Sequence, residues 1–281
     1  MCRMKSGLIF KDEVFIPDYD SHSQMLEELG IEDNEKNASS KFIRAELYPK
    51  DNDVFSPIDT WVFRVDQDIL PDWYVEKYDE ERMRSAVKKW AEEHIHVGKD
   101  NLKISSGENH YIKDCKNVRL YGSATVKYIY GSATVENIYG SATVENIYGS
   151  ATVKNICDSA TVEYIYGSAT VKNICDSATV EYIYGSATVK NIYGSATVKN
   201  IYGSATVEYI YGSATVKYIC DSATVKKAAG LSTIISSPYG WNKKESLVIS
   251  ENATFKDCET KTIWQSGRWT LNAAKVEGKQ C

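Results

Sequence analysis

From Tyr121 to Ala228 the chain sets small apolar residues among polar ones on a fixed beat of nine, and the beat returns twelve times. In the first copy, "YGSATVKYI", Ala124 and Val126 stand two apart between Ser123, Thr125 and Lys127. Two is the strand period, and a helix of about 3.6 residues per turn would not gather Ala124, Val126 and Ile129 into a stripe that the next copy continues. The segment Ser123–Lys127 is therefore expected to be a strand. Ala124 and Val126 face inward, Ser123, Thr125 and Lys127 outward, and Ile129 fills the corner. Tyr121-Gly122 supplies the turn, because glycine tolerates a positive φ.

Nine residues cannot bury enough apolar surface to offset the roughly 1–2 kcal/mol per residue that ordering a backbone costs. Each copy must rest on its neighbours, which makes the fold class mainly β: a parallel β-solenoid whose strands stack about 4.8 Å apart. Two copies would make an 18-residue coil and three a 27-residue coil. Cys157 and Cys175 replace the turn tyrosine 18 residues apart, and Tyr128, Tyr164, Tyr182 and Tyr218, though not Tyr209, fall in odd-numbered copies. Both details favour eighteen, with Cys220 outside the pattern. The turn ladder then comprises Tyr121, Tyr130, Tyr139, Tyr148, Cys157, Cys175 and Cys220, and the periodic outer surface begins with Ser123, Thr125, Lys127, Ser132, Thr134 and Glu136. An open stack needs covered ends. Residues 101–120 are the lead-in and first cap, and 229–281 hold a degenerate copy, "NATFKDC", with Phe255 at the Val place and Cys258 at the Ile place. Trp264 and Trp269 follow it as a candidate lid.

Residues 1–100 show a different pattern, that of a small α+β domain. Strand-like runs occur at 7–10, 14–16, 42–47 and 61–65. A helix is expected near 21–29, capped by Asp20 or Ser21 and ended by Gly30. A second starts at a capping Asp79, with Met83, Val87, Trp90 and Ala91 making its apolar face.

Charge and chemistry change this picture little. Residues 1–100 carry 23 acids against 14 Lys and Arg (14 − 23 = −9), while the repeats carry 8 of each. That balance does not suit a nucleic-acid surface. Lys11, Asp12 and Glu13 break the first apolar run, so neither a signal peptide nor a transmembrane segment is expected, and the cytoplasm is the expected location. Seven cysteines without a CxxC pair suit free thiols in a reducing compartment. Asp66, Asp68 and Asp72, close in sequence, are the candidate acidic site for acid–base work or a divalent ion. His94 and His96 form an HxH without a third ligand in view, and His94 joins the three aspartates as the remaining catalytic candidate. No metal or cofactor is implied.

The unit "YGSATV", with its variant "CDSATV", resembles the repeats of bacterial ice-nucleation proteins, which are β-solenoids with hydroxyl and tyrosine ladders. It differs in its period and in the charged residue two beyond the threonine, as at Lys127 and Glu136. The opening "SGLIFKDEVFIPDYDSHSQMLEELGIED", with "WVFRVDQDILPDWY" and short tandem repeats, resembles uncharacterised proteins of bacteriophages and gut bacteria. That resemblance implies a bacterial or phage-infected cell and brings no activity with it.

The leading functional expectation is a non-enzymatic structural or interaction protein. Its solenoid is a rigid spacer or periodic binding face, and residues 1–100 bind a protein partner. Neither nucleic acid nor membrane is an expected partner, and self-association through solenoid edges or ends is a further expectation. Two alternatives stand beside it: ordered-water or ice binding by Ser/Thr ladders, and a hydrolytic or metal-dependent enzyme in residues 1–100.

Overall fold

The computed structural model describes residues 5–242 and 247–266. The chain divides into two units, Met1–Val97 with Glu108–Tyr111, and Gly98–Gly107 with Ile112–Cys281.

The first unit is built on an antiparallel sheet of β1 (Lys5–Phe10), β2 (Val14–Phe15), β3 (Phe42–Tyr48) and β4 (Val62–Val65), in the order β2-β1-β3-β4. Leu8, Ile9, Phe42, Ile43 and Leu47 on β1 and β3 are fully buried. Helix α1 (His22–Glu28) begins where expected, with the Ser21 hydroxyl accepting the Gln24 N–H at 3.3 Å. A short helix α2 (Glu35–Ala38), capped by Asn34, was not legible in the apolar pattern, because four residues complete hardly one turn of it. The long helix α3 (Glu76–His94) buries Met83, Val87, Trp90 and Ala91, as its spacing predicts. Its start differs from the expectation. Val75 occupies the cap position and its side chain has no oxygen to offer, so Asp79, one turn inside, reaches back to accept the Val75 N–H at 2.9 Å. Arg82 holds that buried carboxylate at 2.8 Å.

The second unit is a parallel two-sheet β-solenoid. Thr134, Val135, Asn137 and Ile138 lie over Thr152, Val153, Asn155 and Ile156, so the coil is 152 − 134 = 18 residues. Odd-numbered copies form one sheet, with strands such as Thr143–Ile147, Thr161–Ile165 and Thr179–Ile183; even-numbered copies form the other, with Thr134–Ile138, Thr152–Ile156 and Thr170–Ile174. Because the sequence repeats, each Thr, Val and Ile stacks on its own kind in the coil before. Ala, Val and Ile fill the space between the sheets; in a central copy Ala160, Val162 and Ile165 are all 0% exposed.

The outward positions depart from simple alternation. Each regular strand starts at threonine, and Ser123 lies in the turn with Gly122, not on the strand. The seventh and eighth residues of a copy both face outward before isoleucine turns in. The turn itself is closed by a hydrogen bond between its first and fourth residues, as from the Ala160 N–H to the Cys157 carbonyl at 3.2 Å. Its second residue has positive φ: glycine in most copies, and Asp158, Asp176 and Asp221 at 58°, 55° and 54°.

The C-terminal cap also differs from the expectation. Trp264 is 57% exposed on the strand Thr262–Gln265, which pairs antiparallel with Thr254–Asp257, and Trp269 lies outside the described residues. Trp241 plugs the core instead. It is 2% exposed, its indole N–H donates to the Ala223 carbonyl at 2.7 Å, and its ring meets Phe255 edge-on at 5.6 Å. Phe255 takes the Val place as expected, but the strand ends at buried Asp257, and Cys258 is only half-buried. Among the described residues no helix is long and apolar enough to cross a membrane.

Candidate functional site

The eighteen-residue coil sorts the outward residues into columns. On the even edge Tyr130, Tyr148, Tyr166, Tyr184 and Tyr202 form one continuous stack, with centroids 4.5 to 5.0 Å apart. Tyr128, Tyr164 and Tyr182 of the odd sheet meet this stack edge-on. Partial burial pushes the phenols of Tyr166, Tyr184 and Tyr202 above the ordinary tyrosine range. Free Cys220 follows Tyr202 in this column, and burial pushes its thiol up.

The odd edge carries shorter stacks, Tyr121 on Tyr139 at 5.7 Å and Tyr193 on Tyr211 at 5.0 Å. Between them Cys157 and Cys175 are joined in a disulfide, with Cα atoms 4.7 Å apart. This corrects the expectation of free thiols at those two positions: stacking at one-coil separation places both Cα atoms within disulfide reach. Beside them, Asp158 accepts the Gly140 N–H at 3.1 Å and Asp176 the Asp158 N–H at 3.4 Å. Aspartate at the positive-φ position thus binds the turn of the preceding coil. Asp114, also at positive φ, instead holds the turn of the coil after it, accepting the Ser132 N–H at 2.7 Å and the Ser132 hydroxyl at 2.9 Å, and these bonds hold its carboxyl below the usual range.

The broad faces are also unlike each other. On the even sheet Asn137, Asn155, Asn173 and Asn191 form an amide ladder, each side chain donating to the one before at 2.8 to 2.9 Å. The odd sheet has a mixed column, Tyr128, Asn146, Tyr164, Tyr182, Asn200 and Tyr218. One residue earlier runs a charged column with ion pairs between coils: Lys127 with Glu145 and Lys199 with Glu181 on the odd face, Lys154 with Glu136 at 3.0 Å and Lys226 with Glu208 at 3.4 Å on the even face. Thr125 and Thr134 start half-buried columns on opposite faces, whereas Ser123 and Ser132 lie exposed in turns. The two-hydroxyl grid expected along each strand is therefore reduced to one threonine column per face.

In the first unit the three candidate aspartates separate. Asp68 and Asp72 are exposed in the segment after β4. Asp66 instead lies beside His22 and Glu46, the three offering ligand atoms within 4.8 Å of one another. The sequence hid this cluster, because His22 stands on α1 and Glu46 is the buried acid of β3, each far from Asp66 along the chain. His22 Nδ1 is 3.8 Å from Asp66 and its Nε2 is 3.2 Å from the Ala45 carbonyl. Burial pushes the His22 imidazole below the ordinary histidine range. The set can bridge a proton between imidazole and carboxylate or hold a divalent cation.

The HxH pair has a third histidine, His110, which returns from a later strand. Trp90, His94, His110 and His96 stack face to face in that order, with centroids 4.7, 5.2 and 5.5 Å apart. Asp18 sits 3.0 Å from His94 Nε2, and the Trp90 carbonyl 2.7 Å from Nδ1, so the rings lie in a pile rather than converging on a point. Lys5, buried beside them, contacts Asp20 at 3.0 Å and the Pro17 carbonyl at 2.5 Å, and desolvation lowers its pKa. An open groove of 680 Å³ runs between the β1–β2 turn and α3, lined by Asp12, Glu13, Ile16, Tyr78, Arg82 and Lys89 among others. Tyr78 is 60% exposed in its wall. Comparison with known protein families, curated proteins and solved structures finds no match to this chain.

Proposed function

We propose that this protein is a non-enzymatic structural or interaction protein, in which the solenoid is a stiff periodic element and the N-terminal unit binds a protein partner. The observation that carries the proposal is the near-identity of successive coils: Thr161, Val162, Tyr164 and Ile165 lie over Thr179, Val180, Tyr182 and Ile183 in unbroken register. A catalytic centre uses unlike residues brought to one place. Interchangeable coils supply length, stiffness and many equal weak contacts. The partner element is the groove along α3, where exposed Tyr78 beside Arg82 offers an aromatic anchor and Asp12, Glu13, Glu81 and Glu93 favour a basic partner segment. The bacterial or phage setting and the cytoplasmic location belong to the same proposal.

A photo-crosslinking residue placed at Tyr78, and in a second chain at Ser195 in a solenoid turn, tests this division of labour. The proposal expects protein adducts from position 78 that persist when one coil, Tyr184–Ile201, is deleted from the Tyr78 chain. Adducts from position 195 alone, or loss of the position-78 adducts with the coil, would refute it.

A further inference from the structure

The charged column differs between the two broad faces in a way that ion pairing within the chain does not explain. Read coil by coil, the odd face carries Lys127, Glu145, Glu163, Glu181, Lys199 and Lys217, and the even face carries Glu136, Lys154, Lys172, Lys190, Glu208 and Lys226. The two faces have opposite charge in five of these six coils; only Lys217 and Lys226 agree. At the centre, three glutamates stand on adjacent strands of one face and three lysines on adjacent strands of the other, with the strands about 4.8 Å apart. Like charges so placed destabilise a sheet. The flanking ion pairs relieve only part of this. Lys127 holds Glu145 and Lys199 holds Glu181, leaving Glu163 with the Tyr164 hydroxyl. On the other face Glu136 holds Lys154, while Lys172 and Lys190 are exposed with no carboxylate at ion-pair distance among the described residues.

We infer that the two faces are complementary docking surfaces for a second copy of this chain, the odd face of one copy lying on the even face of another with the solenoid axes parallel and the coils in register. In that register five coils bring opposite charges together, and Glu163 meets Lys172 at the centre. The pattern also selects against alternatives. A shift of one coil sets Lys127 against Lys154 in one direction and Glu145 against Glu136 in the other. Pairing two even faces about a two-fold axis matches the ends but sets Lys172 against Lys190. Because the contact joins unlike faces, it does not close, and copies add one after another. The inference extends the interaction role to the solenoid faces and does not rest on the N-terminal groove.

Sedimentation velocity of the full chain tests it. In about 10 mM salt, where charges act over about 30 Å, the mean mass should rise steadily with concentration, and in about 1 M salt it should return to the monomer. The variant Glu145→Lys/Glu163→Lys/Glu181→Lys makes both faces basic at the centre, and Lys154→Glu/Lys172→Glu/Lys190→Glu makes both acidic. Each alone should associate at least tenfold more weakly than the parent while keeping its β circular dichroism. An equimolar mixture of the two should assemble again, because each acidic face then meets a basic one. A monomeric parent in low salt, a complex that stops at two copies, a triple variant that assembles like the parent, or a folded mixture that stays monomeric would each overturn the inference.

Discussion

In the twelve regular copies glycine at the second position is replaced only by aspartate, and this exchange can be measured. Gly185 has φ 68°, and a Cβ added there would lie 3.1 Å from the Gly167 nitrogen and 3.4 Å from its oxygen. For alanine the left-handed conformation alone costs about 1–2 kcal/mol. The crowding atoms are backbone of the coil before, which cannot rotate aside, so Gly185→Ala should lie at the upper end of that range. Gly185→Asp meets the same atoms, but aspartate tolerates this conformation better, and its carboxylate can accept the Gly167 N–H as Asp158 accepts that of Gly140 at 3.1 Å. A hydrogen bond to a charged acceptor contributes about 1.5–3 kcal/mol, so the aspartate variant should stay within about 1 kcal/mol of the parent. The two variants should then differ by about 1–2 kcal/mol, or roughly 2–8 °C in melting temperature for a unit of this size. Thermal unfolding followed by circular dichroism in the sheet region reads the difference. It should shrink below about pH 4, where the new carboxyl protonates. If Gly185→Asp melts as low as Gly185→Ala at neutral pH, the carboxylate does not bind the turn beneath it.

Three further perturbations test other contacts. Ile165→Ala in the middle of the stack should cost about 2–5 kcal/mol, because the side chain is fully buried between two sheets that cannot collapse into the gap, whereas Lys172→Ala should stay within about 0.5 kcal/mol; denaturant midpoints compare them. Reduction of the Cys157–Cys175 disulfide, which closes a loop 18 residues long, should cost about 3 kcal/mol on the chain-entropy account, and a Cys157→Ser/Cys175→Ser variant should melt alike with and without reductant. His22 is held neutral by burial, so its contribution is complete above the unfolded value of about 6.5 and is lost as pH falls from there towards the lower folded value; His22→Gln should flatten the melting profile over that acid window.

The solenoid was legible because its information is repeated. Each copy states the same strand, and Cys157 and Cys175 at a spacing of 18 mark the coil length that the strand register shows. The position of Ser123 was not legible, since alternation alone cannot tell the last turn residue from the first strand residue when both are polar and outward. The Trp241 plug was hidden for another reason: the repeat pattern has already lapsed there, and only the fold brings the indole to the Ala223 carbonyl. In the N-terminal unit, helix α3 announced itself through Met83, Val87 and Trp90, while the cluster of His22, Glu46 and Asp66 depends on three elements meeting. No local spacing encodes such a meeting. Asp68 and Asp72 lie near Asp66 along the chain, but they fall in the exposed segment beyond the end of β4.

The coil of eighteen built from a unit of nine has a consequence for how such a chain changes length. Since Ala, Val and Ile occupy equivalent places in both sheets, gain or loss of a single unit, a 27-nucleotide event in a gene, leaves the core continuous. One added unit advances everything downstream by half a coil, about 2.4 Å, and turns it half-way round the axis; a second restores the heading and completes a step of about 4.8 Å. Replication slippage can therefore adjust reach in small increments, and the parity of the unit count acts as a rotary setting that decides which way the Trp241 end of the solenoid faces.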